Sequence, residues 1–452
     1  PVSRPYIEMT IEVMRDFGIE VTNLDESTLV VPPSGYRATA LEIEPDATAA
    51  SYFFGAAVIT QGKVRVDGLD ERSIQGDIQF VSVLEDLGAK VTWGDGFIEV
   101  EGDHIGGGSF DLRHFSDTAQ TLAAVAAFAD SEVEITGIGF IRAKETNRLA
   151  AMTTELSKCG VEIIEKPDGL LVRPNKWLLR GATINTYDDH RMAMSMSLLG
   201  LRVPRMEVLD PDCVNKTFPE FFDRLEELRP RAQERSGVTS LIAIDGPAGS
   251  GKSTVAQRLA AELHLPHFDT GAMYRAVAVA AVRAGVDIED ADAVTKLARE
   301  TNIEIHERIL IDGVDATEDI RSADANQMVS VVAANTQVRR VLVPRQREWA
   351  TSLGGGVMEG RDIGTEVFPD ALLKVFLTAD LSIRAERRFN ESSEQTLESV
   401  LEDLKRRDQI DSTRQDSPLL VAPGAIIFDS SGLSIEDVVS DLATIFRGLV
   451  AG

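Results

Sequence analysis

The residues best placed to do chemistry lie at Gly246-Pro-Ala-Gly-Ser-Gly-Lys-Ser253, which fits the pattern G-x-x-x-x-G-K-[ST]. Gly246, Gly249 and Gly251 let the backbone N–H groups of the loop, Ser250 included, turn toward phosphate oxygens. Lys252 is spaced to reach the β- and γ-phosphates, Ser253 to hold Mg²⁺, and Thr254 to carry the loop into a helix whose N-terminus favours negative charge. This pattern predicts ATP as donor and leaves the acceptor open. Arg275, in Asp269-Thr-Gly-Ala-Met-Tyr-Arg275, suits bidentate pairing with an acceptor phosphate. Glu359-Gly-Arg-Asp-Ile-Gly-Thr365 follows a short apolar run, at the end of a strand where open sheets carry ligands. Arg407 and Arg414 stand seven apart, about two helical turns on one side, and together can neutralise a transferring phosphoryl group. Such an arginine run alone is a solvated helix face; a phosphate loop upstream changes that reading.

A second set of cations occurs in the first half. Lys144 and Arg148, His190 and Arg191, and Lys216 fall at expected helix starts, where anions bind. Glu145 beside Lys144 is a proton-transfer group. Asp117 serves equally well as a charge at its helix start or as a substrate contact, whereas Asp46, with no such neighbours, reads as a helix cap.

The elements that must position these residues divide at Arg229-Pro-Arg-Ala-Gln-Glu-Arg-Ser-Gly237, a polar stretch without apolar periodicity. It predicts a linker at 229–237 between domains 1–228 and 238–452. Before it lies an internal repeat. An acidic residue opens an Ala-rich helix at Asp46, Asp117 and Asp189. Each helix leads to a strand (Lys63–Leu69, Glu132–Ile138, Arg205–Leu209) and then to a second helix (Phe80–Leu87, Leu149–Leu156, Phe218–Leu225). The first two second helices end at Gly and continue as a strand. Ser3 to Val21 matches only the latter half of this unit, so an upstream part of a larger protein is expected to be absent. After the linker, short apolar strands at Leu241–Ile244, Val357–Met358, Leu373–Leu377 and Ala425–Phe428 alternate with helices at Ser253–Leu263, Arg384–Phe389, Ser399–Arg407 and Ser434–Leu449. That alternation predicts an α/β fold with a parallel sheet covered on both faces.

The chain has 452 residues, enough for two or more cores. With 46 Lys and Arg against 73 Asp and Glu, the formal charge is -27, which argues against non-specific binding to nucleic acid or to anionic membranes. Two cysteines without metal spacing read as reduced thiols, and no run of 18 apolar residues predicts a membrane span, so a cytoplasmic protein is expected.

The phosphate loop, Asp269–Arg275, Glu359–Thr365 and the Arg407, Asp411, Arg414 set followed by Pro418-Leu419 together resemble cytidylate kinase over Leu241 to Gly452. The resemblance implies a P-loop nucleoside monophosphate kinase that converts ATP and CMP or dCMP to ADP and CDP or dCDP. It implies that Ser330, Arg339 and Asp362 read the cytosine, Tyr274 and Asp411 hold the sugar, and Arg275, Arg361, Arg407 and Arg414 hold phosphates, with the Thr270 hydroxyl retained where Ser is also common. UMP and shikimate are the competing acceptors, the latter because Gly354-Gly-Gly356 is similar to a shikimate kinase triplet.

The first half, Pro1 to about Leu228, resembles the C-terminal half of 3-phosphoshikimate 1-carboxyvinyltransferase (EPSP synthase). The motifs are Ser3-Arg-Pro-Tyr6, Asp46–Ser51, Gln75-Gly-Asp77, Arg142–Arg148, Asp189–Met194 and Lys216–Pro219. This implies an inside-out α/β domain of three repeated units. It implies phosphoenolpyruvate on Arg148, Arg191 and Lys216, proton shuttling by Glu145, and shikimate 3-phosphate on Ser3, Tyr6, Asp117 and Lys144. Phe140 departs from the family, which often has a substrate-binding Asn there. Because the family's site lies between two domains, this half alone is expected not to catalyse the transfer. The two resemblances imply a natural fusion of both enzymes, the alternative being a kinase whose first half is a non-catalytic binding module.

Overall fold

The structure is a computed structural model that describes residues 2–228 and 240–451, apart from 26, 306–307, 392–395 and 415. The chain forms two compact units, Pro1–Arg229 and Pro230–Gly452. The expected linker at 229–237 lies outside the described residues.

The first unit is built inside out. It opens with α1 (Arg4–Asp16), β1 (Thr22–Asp25) and β2 (Thr28–Val30). A full copy of the repeat follows: α2 (Ala47–Thr60), β3 (Lys63–Asp67), α3 (Phe80–Asp86), β4 (Lys90–Gly94) and β5 (Phe97–Glu101). The next copy holds β6 (Gly108–Asp111), α4 (Ala119–Ala126), β7 (Val133–Thr136), α5 (Arg148–Lys158), β8 (Glu162–Lys166) and β9 (Gly169–Arg173). The last holds β10 (Thr183–Ile184), α6 (His190–Ser197), β11 (Glu207–Val208) and α7 (Phe221–Glu227).

Alanine explains the layout. Small side chains let α2, α4 and α6 pack against one another at the centre, and all eight residues of α4 are buried. The sheets β3-β5-β4 and β6-β7-β9-β8 lie outside, and β3 alternates exposed with half-buried residues as a one-sided strand does. The helix–Gly–hairpin element recurs three times. Gly18, Gly88 and Gly160 follow α1, α3 and α5 at φ 83°, 113° and 83°, and each leads into an antiparallel hairpin. Two expected helix starts shift. The helix expected to open at Lys144 begins at Arg148, because the Asn147 side chain caps it and a 3₁₀ turn fills Gly139–Ala143. Lys216 closes the 3₁₀ segment Pro211–Lys216 and does not open a helix; α7 begins only at Phe221.

The second unit starts with β12 (Leu241–Asp245), buried along its whole length, followed by α8 (Lys252–Leu263). Next come β13 (His267–Asp269), α9 (Thr270–Ala284), α10 (Ala291–Glu300), the small antiparallel sheet β14 (Ile303–Ile305), β15 (Ile309–Ile311) and β16 (Val314–Asp315), then α11 (Ala323–Ala334) and α12 (Thr336–Ser352). The chain ends with β17 (Gly356–Gly360), β18 (Leu373–Thr378), α13 (Leu381–Glu391), α14 (Leu397–Thr413), β19 (Ile426–Asp429) and α15 (Ile435–Ala451). Strands β13-β17-β12-β18-β19 form one parallel sheet. One apolar cluster packs α9, α10 and α12 on one face, and another packs α8 and α15 on the other. Both faces are therefore covered, which is why β12 is apolar without alternation until Asp245. Arg414 is not on a helix face with Arg407: it is the C-cap of α14, in extended conformation, while Arg407 lies within the helix. Among the described residues no helix is long and apolar enough to cross a membrane.

Candidate active sites

In the second unit the loop between β12 and α8 has the shape its glycines predict. Gly249 and Gly251 take φ 75° and 88°, and a Cβ at Gly246 would lie 2.0 Å from the Leu377 carbonyl. α8 starts without a side-chain cap, so its first N–H groups remain directed at the loop. Lys252 is buried, with Nζ donating to the Pro247 carbonyl at 2.7 Å. Burial first, then the nearby Arg361 charge, pulls its ammonium down to about 7. The carboxylates of Glu359, Asp411 and Asp245 oppose that shift only in part.

Two carboxylates that the sequence reading passed over organise this loop. Glu359, at the end of β17, accepts the Ser253 hydroxyl at 2.6 Å and faces His267 Nε2 at 3.1 Å. Its backbone carbonyl accepts the Thr270 hydroxyl at 2.7 Å. Asp245, the last residue of β12, accepts the backbone N–H groups of Ile363 and Gly364 at 2.8 and 2.7 Å. Burial raises its carboxyl to about 6 against those two hydrogen bonds. Asp245 thereby fixes the turn that carries Arg361 and Asp362. The hydroxyl of Ser253 and the carboxylate of Glu359 form an all-oxygen donor pair at the phosphate end of the loop, a set that fits Mg²⁺ held chiefly by water and phosphate.

The acceptor residues gather around the same strand ends. Arg361 Nε pairs with Asp411 Oδ2 at 2.8 Å, and Arg275 with Asp269, the cap of α9, at 2.5 Å. Arg339 pairs with Asp362, both buried, donates to Ser417 Oγ at 3.1 Å, and stacks 5.5 Å from the centre of the Tyr274 ring. Arg414 Nε donates to the Ser417 carbonyl. One Nη of Arg414 and the hydroxyl of Tyr274 are buried without a hydrogen-bond partner among the described residues. Burial holds Arg407 below its ordinary value, with Arg388 adding to it, and does the same to Arg414 with Arg339 adding. A pocket crowded with guanidinium groups, some donors unused, is relieved by an incoming phosphate dianion. Ser330, half-buried on α11, makes no hydrogen bond to this cluster. Gly354–Gly356 only turns the chain into β17, away from these arginines.

Arg384 and Asp408, which sequence reasoning missed, tie the phosphate loop to the acceptor arm. Arg384 is buried, donates to the Ala248 carbonyl at 2.9 Å and pairs with Asp408 on α14 at 2.8 Å. Nothing in the arginine run distinguished Asp408 from its charged neighbours before the fold set Arg384 against it.

The first unit holds an ionic network centred on the buried Arg148. Arg148, 1% exposed, donates to Asp189 at 2.8 Å, Glu145 at 2.7 Å and Asp117 at 3.3 Å. Asp117 also accepts from Arg191 at 2.9 Å, and Glu145 accepts from Lys216 at 2.9 Å. Asp117 therefore bridges two guanidinium groups and is not the cap of α4, whose N-cap is Thr118. Asp189 takes the Arg148 guanidinium and also accepts the Arg191 backbone N–H as the cap of α6. Asp46 caps α2 as expected. Glu145 is partly desolvated, which opposes ionisation, yet the Lys216 hydrogen bond and the Arg148 charge hold it at about 2. Tyr6 donates to Asp77, which also accepts from Thr48 at 2.8 Å. Burial raises Asp77 to about 6 despite those two bonds. Asp77 was quoted only as part of the Gln75-Gly-Asp77 motif and given no role, and Tyr52, which touches Arg191 at 3.4 Å, escaped the sequence reading. Ser3 sits at φ 58° before α1, and Lys144 is exposed; neither joins the network.

The fold and geometry define two α/β units, the first with cations gathered on shared carboxylates and the second of P-loop kinase type. Residues 1–225 match the family model of EPSP synthase (3-phosphoshikimate 1-carboxyvinyltransferase), and residues 242–448 match that of cytidylate kinase. The chain joins a region of the first family to one of the second, and both are families of enzymes. It is 43% identical over 229 residues to the 3-phosphoshikimate 1-carboxyvinyltransferase of Aliivibrio salmonicida, covering 50% of this chain and 53% of that one. It is 45% identical over 234 residues to the enzyme of that name from Mannheimia haemolytica, covering 51% and 54%. A solved EPSP synthase from Acinetobacter baumannii aligns with 23% identity and a TM-score of 0.42, over 47% of this chain and 52% of that one. The chain spans about half the length of the curated relatives it matches.

Proposed function

We propose that the second unit transfers the γ-phosphoryl group of ATP to CMP or dCMP. The observation that carries this is the convergence on adjacent strand ends of the Lys252 and Ser253 loop with Arg275, Arg361, Arg407 and Arg414. A phosphate oxygen of the acceptor attacks the γ-phosphorus, and the bond to the bridging oxygen of ADP breaks. Lys252 and the loop N–H groups hold the donor, and the arginines hold the acceptor phosphate and spread the charge of the transition state. Ser253, whose hydroxyl Glu359 orients, would hold Mg²⁺, and the ion would supply further neutralisation of the donor oxygens. In this reading Arg339 and Asp362, paired with each other, offer donors and acceptors to the edge of a cytosine together with Ser330 of α11, Tyr274 and Asp411 hold the sugar, and the Thr270 hydroxyl completes the acceptor side.

The test is ADP release from the purified chain given ATP with CMP, dCMP, UMP or shikimate. CMP and dCMP should be the best acceptors, and Lys252→Ala should lower kcat/KM by about 10³-fold. A preference for shikimate, or an active Lys252→Ala variant, overturns the assignment.

For the first unit we propose that Arg148, Arg191 and Lys216 bind phosphoenolpyruvate, that Glu145 moves a proton, and that Asp117, Tyr6, Ser3 and Lys144 meet shikimate 3-phosphate, within a whole carboxyvinyltransferase. The shared carboxylates Asp117 and Glu145 support it, because they bring three cations to one place. Carboxyvinyl transfer by this chain alone is expected to be absent, and detection of enolpyruvylshikimate 3-phosphate would contradict the half-site reading.

A further inference from the structure

We infer that His267 is a positioning residue for the metal side of the phosphate loop, an inference that rests on the P-loop kinase reading above. His267 and Asp269 lie on one face of β13, and Asp269 stands beside Glu359 of β17 in parallel register. The His267 ring thus reaches forward to Glu359 Oε1 at 3.1 Å. The Glu359 side chain is only 4% exposed, and the carboxyl oxygen facing Nε2 is an acceptor that a donating Nε2–H would hold in place. The other carboxylate oxygen accepts the Ser253 hydroxyl at 2.6 Å.

This chain of two hydrogen bonds has a directional consequence. Once the Ser253 proton points at Glu359, the lone pairs of its oxygen face the mouth of the loop, where a divalent cation on the nucleotide phosphates would take them. Glu359 can hold that proton only if its own carboxylate is kept from rotating, and His267 supplies the second point of attachment. A role in packing does not account for His267. Its side chain is 28% exposed on an edge strand, and its neighbour Phe268, not His267, enters the apolar core.

The readout is the gain in ATP affinity that Mg²⁺ confers, measured by titration calorimetry with Mg²⁺ and with EDTA, alongside CMP binding and thermal stability. His267→Phe should reduce that gain about tenfold while leaving ATP affinity in EDTA and CMP affinity unchanged. His267→Gln, which keeps an N–H at similar reach, should restore the gain to within about twofold of the parent. An unchanged gain in His267→Phe overturns the inference. So does an equal loss in EDTA, which marks general distortion, or a failure of Gln to recover. A parent chain that binds no ATP at all defeats the P-loop reading itself, an outcome distinct from these.

Discussion

At the scale of single residues, Arg148 shows how much a site can demand of one side chain. It is fully buried and satisfies Asp189, Glu145 and Asp117 together. Arg148→Met keeps the volume and removes the charge, leaving three carboxylates facing one another. A loss of about 3–5 kcal/mol in the stability of the first unit is expected by urea denaturation, and a loss under 1 kcal/mol would show that water had replaced the guanidinium. Asp77 makes the opposite case. Its folded carboxyl is raised to about 6 from an ordinary 3.8, so between those values the folded chain holds a proton that the unfolded chain has released. Stability therefore falls as pH rises through that window, by up to about 3 kcal/mol from this group. Parent minus Asp77→Asn should show that slope between pH 4 and 6, and parallel pH curves would refute it. Cations such as Lys252, Arg148 and Arg191 could be singled out because a lysine or arginine at a loop or helix start stands out in an acidic chain, whereas Arg384, inside a charged helix, did not. Asp77, Glu359 and Asp245 were not legible, since the use of a carboxylate depends on which donors the fold sets against it.

At the scale of elements, the repeat was readable because its copies share physical solutions: an acidic residue opening a central helix, and a helix that ends at glycine before a hairpin. The parallel sheet was readable from its unbroken apolar strands. What escaped were elements too short to carry a period, such as β13 and β14–β16, and helix starts displaced by 3₁₀ turns at Gly139–Ala143 and Pro211–Lys216. The glycine that ends α5 tests the repeat most directly. Gly160 takes φ 83°, and a Cβ there would lie 1.9 Å from the Leu178 carbonyl. Gly96, in the β4–β5 turn, takes φ 74° with nothing within 4 Å. Gly96→Ala should cost about 1–2 kcal/mol for its left-handed backbone alone. Gly160→Ala should cost roughly 1–3 kcal/mol more, because backbone must also move. Equal costs in urea melts would mean that the hairpin after α5 yields freely.

At the scale of the whole molecule, both proposed activities handle anions, yet the chain carries a formal charge of -27. The sites resolve this locally by gathering cations on shared carboxylates, as Arg148 and Arg191 do on Asp117, so the attractive field is short in range. The rest of the surface is left with excess negative charge, about 800 Å² per unbalanced carboxylate if the 21535 Å² surface is shared evenly. That corresponds to a spacing near 28 Å, comparable with the roughly 30 Å Debye length at 0.01 M salt and well beyond the roughly 8 Å at 0.15 M. Repulsion among these charges is therefore only partly screened in dilute buffer and largely screened at physiological ionic strength. Exposed pairs such as Lys63 with Glu99 and Glu101 weaken over the same range, but pairs this open to solvent contribute little. Repulsion should dominate, and Tm should rise by about 2–4 °C, equivalent to roughly 1 kcal/mol, as NaCl increases from about 0.01 to 0.15 M. Most of the rise should be complete by the upper concentration. NaCl is the salt to use, because Mg²⁺ would also act at Ser253. A Tm that falls over this range would mean that surface ion pairs, and not the excess of carboxylates, set the electrostatic balance of the fold.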